Sequence, residues 1–301
     1  MKEVIRTPED RFENLEDYQF QSHYLEVEAG VRLHYLDEGS DEHPTVLLLH
    51  GEPSWSYLYR KMIPLLSDRF RVLAPDLIGF GKSDKPVNQE DYSYQNHIGW
   101  LSSFIEQLDL QNILLFCQDW GGLTGLRIVT EMESRFDMVV ASNTTLPTGQ
   151  KAMPESFLQW IAYSQQSPDF NIGKVIDKGT VQQLSEKVYE GYNAPFPSEA
   201  YKAGARAFPR LVPIEKDDPE AINNRKAWEK LKSWHKPFLT IFGDEDKIMI
   251  GAEKAMQKII PGATGQDHTI LNAGHFIQEE KGEELAQLMI EFFDKNRTDA
   301  G

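Results

Sequence analysis

Leu114-Leu115-Phe116-Cys117-Gln118-Asp119-Trp120-Gly121-Gly122 is the stretch whose reading decides the fold. An apolar run stops at a carboxylate, passes an indole and meets two glycines. Leu123, Gly125, Leu126, Ile128 and Val129 then fall at helical spacing. A strand that turns on small residues and restarts as a helix holds the residue at its tip out above the sheet. The usual tip residue is Ser; here it is Asp119. A carboxylate is already ionised at neutral pH. It can therefore attack carbon without a base, displace a leaving group and become an ester.

Outward from this turn the chain alternates. Pro44 to Leu49 and Arg71 to Ala74 precede it as short continuous apolar runs, and Met138 to Ala141 follows. Such runs suit strands buried on both faces. Helical patterns separate them over Tyr57 to Leu66 and Tyr94 to Leu108. Tyr24 to Tyr35 alternates about Ala29-Gly30 and predicts a hairpin. Residues 1–20 read as an extended arm with Phe12, Leu15, Tyr18 and Phe20 as anchors. From Leu146 to Val212 the rhythm breaks: helical fragments and six prolines replace the strands. Strands return at Pro237 to Phe242 and Thr269 to Leu271, with helices over Asn223 to Lys230, Gly251 to Ile259 and Glu279 to Phe293. The expectation is an α/β fold: a mostly parallel sheet with helices on both faces and an inserted helical cap. The core takes residues 1–145 and 213–301, and the cap residues 146–212.

The 301 residues carry a net charge of −16, which argues against nucleic acid and anionic membranes as partners. One cysteine, Cys117, excludes an internal disulfide and reads as a packing residue of a reducing compartment. No leader-like or membrane-length apolar run is present, so a cytoplasmic protein, working as a monomer, is expected. Asn143-Thr144-Thr145 and Asn296-Arg297-Thr298 match the glycosylation pattern but are not expected to be used. Gly79-Phe80-Gly81-Lys82-Ser83 lacks the spacing of a phosphate or dinucleotide loop and reads as turns.

In open α/β sheets, sites form beyond the carboxyl ends of the strands. The candidate groups at those ends are His50-Gly51-Glu52-Pro53, Asp119-Trp120, Asp246 and His275. Asp244 and Glu245 follow the same strand as Asp246, which is preferred for lying further into the loop.

His50-Gly51-Glu52-Pro53-Ser54-Trp55, Asp76-Leu77-Ile78-Gly79-Phe80-Gly81-Lys82-Ser83-Asp84-Lys85-Pro86, Gln118-Asp119-Trp120-Gly121-Gly122 and Gly274-His275-Phe276 together resemble the haloalkane dehalogenases, of the α/β-hydrolase fold. These motifs span nearly the whole chain, and nucleophile, acid and histidine stand in that fold's order. The resemblance implies that Asp119 attacks the halogen-bearing carbon and that His275, oriented by Asp246, activates water against the resulting ester. It implies an oxyanion hole from the backbone N–H groups of Glu52 and Trp120, each such donor contributing ~3 kcal/mol. It implies halide binding by the indoles of Trp120 and Trp160. It implies no metal or organic cofactor, and small apolar haloalkanes as substrates.

An epoxide hydrolase would use the same Asp119, Asp246 and His275, but needs two cap tyrosines, for which Tyr163, Tyr189, Tyr192 and Tyr201 are available. A catalytically dead binding protein of this fold is disfavoured because all three groups are present. A serine esterase is disfavoured because Asp119 holds the tip.

Overall fold

The strand that ends at the Asp119 turn, β7 (Ile113–Gln118), is buried along its whole length in the computed structural model, which describes residues 2–297. It lies at the centre of an eight-stranded sheet. The other strands are β2 (His23–Glu28), β3 (Val31–Glu38), β4 (Thr45–Leu49), β5 (Arg71–Pro75), β8 (Phe136–Ser142), β9 (Phe238–Gly243) and β10 (Thr269–Leu271). Their order is β10-β9-β8-β7-β4-β5-β3-β2. The hairpin β2–β3 and the β3–β5 pair are antiparallel; the other pairs are parallel. Parallel strands buried on both faces need apolar side chains at successive positions. The two central strands supply them: Val46, Leu47, Leu48 and Leu49 pair with Leu114, Leu115, Phe116 and Cys117. Each such fully buried Leu or Phe stabilises by roughly 1.5–3 kcal/mol.

The chain runs outward from β4 to β5, then returns to β7 on the other side of β4. That reversal opens a crevice at the carboxyl ends of β4 and β7. His50-Gly51-Glu52 leaves one strand there, and Asp119 leaves the other.

Helices between or after the strands are α1 (Ile63–Ser67), α2 (Tyr94–Gln107), α3 (Trp120–Glu131) and, further on, α8 (Pro219–Leu231), α9 (Glu253–Ile259) and α10 (Ile277–Asn296). α1 packs on α10, and α3 packs on α2 and α8. Between β8 and α8 come α4 (Glu155–Gln166), α5 (Ile172–Lys178), α6 (Glu186–Asn193) and α7 (Ala203–Leu211), with no strand among the described residues.

Three local expectations change. The helix expected over Tyr57 to Leu66 is a 3₁₀ turn at Ser56–Tyr59 followed by the short α1, whose Pro64 sits in its first turn where a missing N–H costs nothing. α5 lies where no helix is expected. The fragment expected over Val181 to Tyr189 starts later, at Glu186, where the Ser185 hydroxyl accepts from the Val188 N–H. The N-terminal arm is tied down: β1 (Val4–Ile5) pairs with β6 (Lys85–Pro86), and the Phe12 and Tyr18 rings pack edge-on against Trp55. Asn143 of the first glycosylation pattern is completely buried, and Thr298 of the second lies outside the described residues.

Candidate active site

Asp119 takes φ 51° and ψ −123°, the strained turn expected of the strand-to-helix junction. The strain is held in place by close packing. A side chain at Gly121 would collide with the Leu49 backbone, and one at Gly51 with the Asp119 carboxylate itself. The Thr144 hydroxyl donates to the Asp119 carbonyl at 2.8 Å. α3 begins at the next residue, so the carboxylate stands at the positive end of a helix.

The two carboxylate oxygens have different neighbours. Oδ1 accepts the Glu52 backbone N–H at 2.7 Å. Oδ2 lies 3.5 Å from Nε2 of His275. The loop that presents Glu52 is fixed by His50, whose Nδ1 lies 2.9 Å from the Gly51 carbonyl and whose Nε2 accepts the Leu77 N–H at 2.9 Å. Burial pushes the His50 pKa down, which suits this neutral donor–acceptor role.

His275 Nδ1 lies 2.7 Å from Oδ2 of Asp246. Asp246 is buried, whereas Asp244 and Glu245 are exposed. Its Oδ1 accepts the N–H groups of Ile248 and Met249 at 2.9 and 3.1 Å, and its Oδ2 also accepts from Asn143 Nδ2 at 2.8 Å. Burial alone would raise the Asp246 pKa, but the His275 charge and these donors hold it below the usual carboxylate range. Burial alone would likewise lower that of His275, but the Asp246 and Asp119 carboxylates outweigh it and hold it up at about 10.

A cavity of about 990 Å³ opens over these groups. Trp120 and Trp160 both line it, with Leu123, Leu146, Phe157 and Phe276 among its apolar walls. The Trp120 ring is held between Tyr94 of α2 and Phe208 of α7, at centroid distances of 5.1 and 4.6 Å. The Glu52 side chain is buried beside Asp119, and its Oε1 has no hydrogen-bond partner among the described residues. Burial, reinforced by the Asp119 charge, pushes its pKa well up, against the pull of His275 and of the Trp160 indole. Of Tyr163, Tyr189, Tyr192 and Tyr201, Tyr163 alone lines the cavity. Tyr192 is buried with its hydroxyl donating to Glu279 at 2.5 Å. Among the described residues, no group of three His, Cys, Asp or Glu side chains is placed to hold a metal ion, and no helix is long and apolar enough to cross a membrane.

Sequence reasoning missed two contributors. Asn143 accepts the Gly243 N–H and donates to both Asp246 and the Gly274 carbonyl. Gln118 Nε2 donates to the His275 carbonyl at 3.1 Å and lies 3.1 Å from its Nε2. Asn143 stands at the end of β8, and strand-end position was the signal that could have found it.

Fold and site together define a hydrolase of the α/β-hydrolase class, and a family model described as alpha/beta hydrolase fold matches residues 44–282. A haloalkane dehalogenase of Psychrobacter cryohalolentis is 55% identical over 299 residues, covering 97% of this chain and 99% of that one. Another, of Mycolicibacterium paratuberculosis, is 54% identical, covering 95% and 97%. The tetrameric structure of the haloalkane dehalogenase DpaA from Paraglaciecola agarilytica superposes with a TM-score of 0.90 at 36% identity, covering 96% of this chain and 98% of that one. The chain belongs to the haloalkane dehalogenase family, hydrolases acting on carbon–halide bonds.

Proposed function

We propose that Asp119 is the nucleophile, His275 the base and Asp246 the acid that orients it. The observation that carries this reading is the division of labour at the Asp119 carboxylate. Oδ1 is engaged by the Glu52 N–H, and Oδ2 faces His275. Oδ2 attacks the carbon in line, the carbon–halogen bond breaks, and halide leaves with the bonding pair toward the indole N–H groups of Trp120 and Trp160. Oδ1 is then the carbonyl oxygen of the ester. It already sits on the donor that must stabilise its negative charge when water attacks, so that donor need not reorganise. The Trp120 N–H, a first-turn amide of α3 without an intrahelical acceptor, is the second donor.

Ester formation neutralises Asp119. One of the two charges that hold the proton on His275 is lost, so its pKa falls and Nε2 becomes a base toward water. Water adds to the ester carbonyl, His275 takes its proton, and collapse releases the alcohol and restores the carboxylate. The sum is haloalkane plus water giving a primary alcohol, halide and a proton.

Residues 146–212 form the cap that closes the cavity and supplies Trp160. The apolar walls favour small chlorinated or brominated alkanes, and detoxification of such compounds in the cytoplasm is the role we assign. The single, buried Cys117 supports a reducing compartment. The exposed Leu65, Leu158, Val181, Ile222 and Ile270 lie on different segments of the chain, and Ile250 and Ile259 line the cavity, which supports a monomer. Light scattering separates a one-chain particle from a tetramer like that of the Paraglaciecola relative. An epoxide hydrolase needs two tyrosines at the cavity, and Tyr163 is the one of the four that reaches it.

Halide release from 1,2-dibromoethane and 1-bromobutane by the wild type and by His275→Phe tests the mechanism, with mass spectrometry of the variant. The wild type should release bromide, and the variant should gain a stable alkyl mass on the peptide containing Asp119. A wild type that releases no halide but opens styrene oxide overturns the reading.

A further inference from the structure

The backbone that carries His275 is held by the cap as well as by the sheet. The His275 N–H donates to the carbonyl of Gly179 at 2.7 Å, and the Phe276 N–H reaches the same oxygen at 3.4 Å. Gly179 ends α5. The two segments approach too closely for side chains: one at Gly274 would strike the Gly179 carbonyl, and one at Gly179 the Phe276 ring.

Glu280, in the first turn of α10, completes the junction. Its Oε2 accepts the Gly274 N–H at 2.7 Å, immediately before His275. Its Oε1 accepts the Val181 and Gln182 N–H groups, at 2.9 and 3.1 Å, just beyond Gly179. One carboxylate therefore ties the end of a cap helix to the loop bearing the histidine. Asp119 itself is anchored from the sheet side: its N–H donates to the Asn143 carbonyl, and its Oδ1 accepts the Glu52 N–H.

We propose that Glu280 is a positioning residue that makes the aim of His275 depend on the seating of the cap, so that it serves ester hydrolysis and not ester formation. The inference rests on His275 being the base of the second step. A carboxylate can accept on both oxygens at once. An amide accepts on one and turns N–H groups toward the other donors, so Glu280→Gln must release either the cap segment or the histidine loop.

Rapid-quench kinetics with 1,2-dibromoethane reads the two steps separately. Glu280→Gln should alkylate Asp119 within about twofold of the wild-type rate and hydrolyse the ester at least about tenfold more slowly, so that alkyl-enzyme accumulates. Amide exchange at Val181 and Gln182, or at Gly274, should speed up in the same variant. Glu280→Asp keeps the charge but is too short to reach both sides, and should show a smaller slowing of the same step. It also provides the reading if Glu280→Gln yields no folded protein. A merely structural role predicts that both steps fall together, and that result, or two unchanged rates, overturns the proposal. His275→Phe separates the two failures. If it does not trap the ester, the base assignment falls. If it does while the Glu280 variants hydrolyse normally, the coupling alone falls.

Discussion

A positive φ at Asp119, a short contact between His275 and Asp246 and a raised His275 pKa meet in three residues. The protonation of His275 has a consequence for stability. Folded His275 binds its proton more tightly than the unfolded chain does, about 10 against the usual 6.5. Its contribution to stability is therefore full below pH 6.5 and is lost as the pH rises to about 10. Denaturant unfolding of the wild type and His275→Asn at pH 6, 8 and 10 checks the sign. The advantage of the wild type should shrink steadily along that series. A constant or growing advantage would mean that the folded protein does not favour the charged ring. What sequence alone made legible at this scale is the identity of the groups at the strand ends, because the tip carboxylate and the terminal histidine each follow an apolar run. What it hid is Asn143, Gln118 and Glu280. Their hydrogen bonds go largely to backbone atoms of distant segments, and such bonds leave no spacing in the chain.

Among the elements, α10 bonds both to the sheet side of the molecule and to α6. Glu279 in its first turn accepts both Arg60 nitrogens, at 2.6 and 2.7 Å, and the Tyr192 hydroxyl of α6. Arg60 is almost wholly buried. Removing the carboxylate leaves a guanidinium in a dry site with no acid opposite it. Glu279→Ala should cost ~3–5 kcal/mol in urea unfolding, the usual loss when one partner of a buried pair is deleted. A loss below about 1 kcal/mol would show that water or relaxation replaces the acid. Element reading from sequence succeeded where a run was purely apolar, as in β4, β5, β7 and β8. It failed over Ser56 to Ser67, where a buried aromatic run mimics a helix face and Pro64 restricts where one can begin. It failed for α5, whose glycine at position 173 and short length weaken the periodic signal. Gly173 is there because Tyr189 of α6 lies against it, a reason that exists in the packing and not in the local sequence.

The whole molecule is acidic, at −16, yet basic side chains outnumber acidic ones in the lining of its cavity. Lys151, Lys174, Lys178, Arg225 and Lys232 line it, and Glu229 there is paired with Lys232 at 2.7 Å. The substrates assigned to this chain are neutral, and their leaving group is an anion. Basic side chains in the lining are expected to attract the departing halide and to leave the arrival of a neutral alkane unaffected. Bromide inhibition should therefore weaken as ionic strength rises, since at 0.1 M salt charges beyond about 10 Å are screened. Lys174→Gln/Lys178→Gln should weaken it further, while kcat/KM for 1-bromobutane stays unchanged. Inhibition that ignores both salt and the double substitution would place all halide affinity at the indoles.

Cys117 sits near the end of β7, completely buried, with burial pushing its thiol well above the usual range. It is the chain's one sulfhydryl. Maleimides and other thiol reagents, which need an exposed thiolate, should leave the native protein unmodified. A cysteine introduced at exposed Gln182, on the cap side of the Glu280 junction, would then be the single reactive handle on the molecule. A dye or spin label placed there would report cap movement from one defined position, with no need to remove a native thiol first.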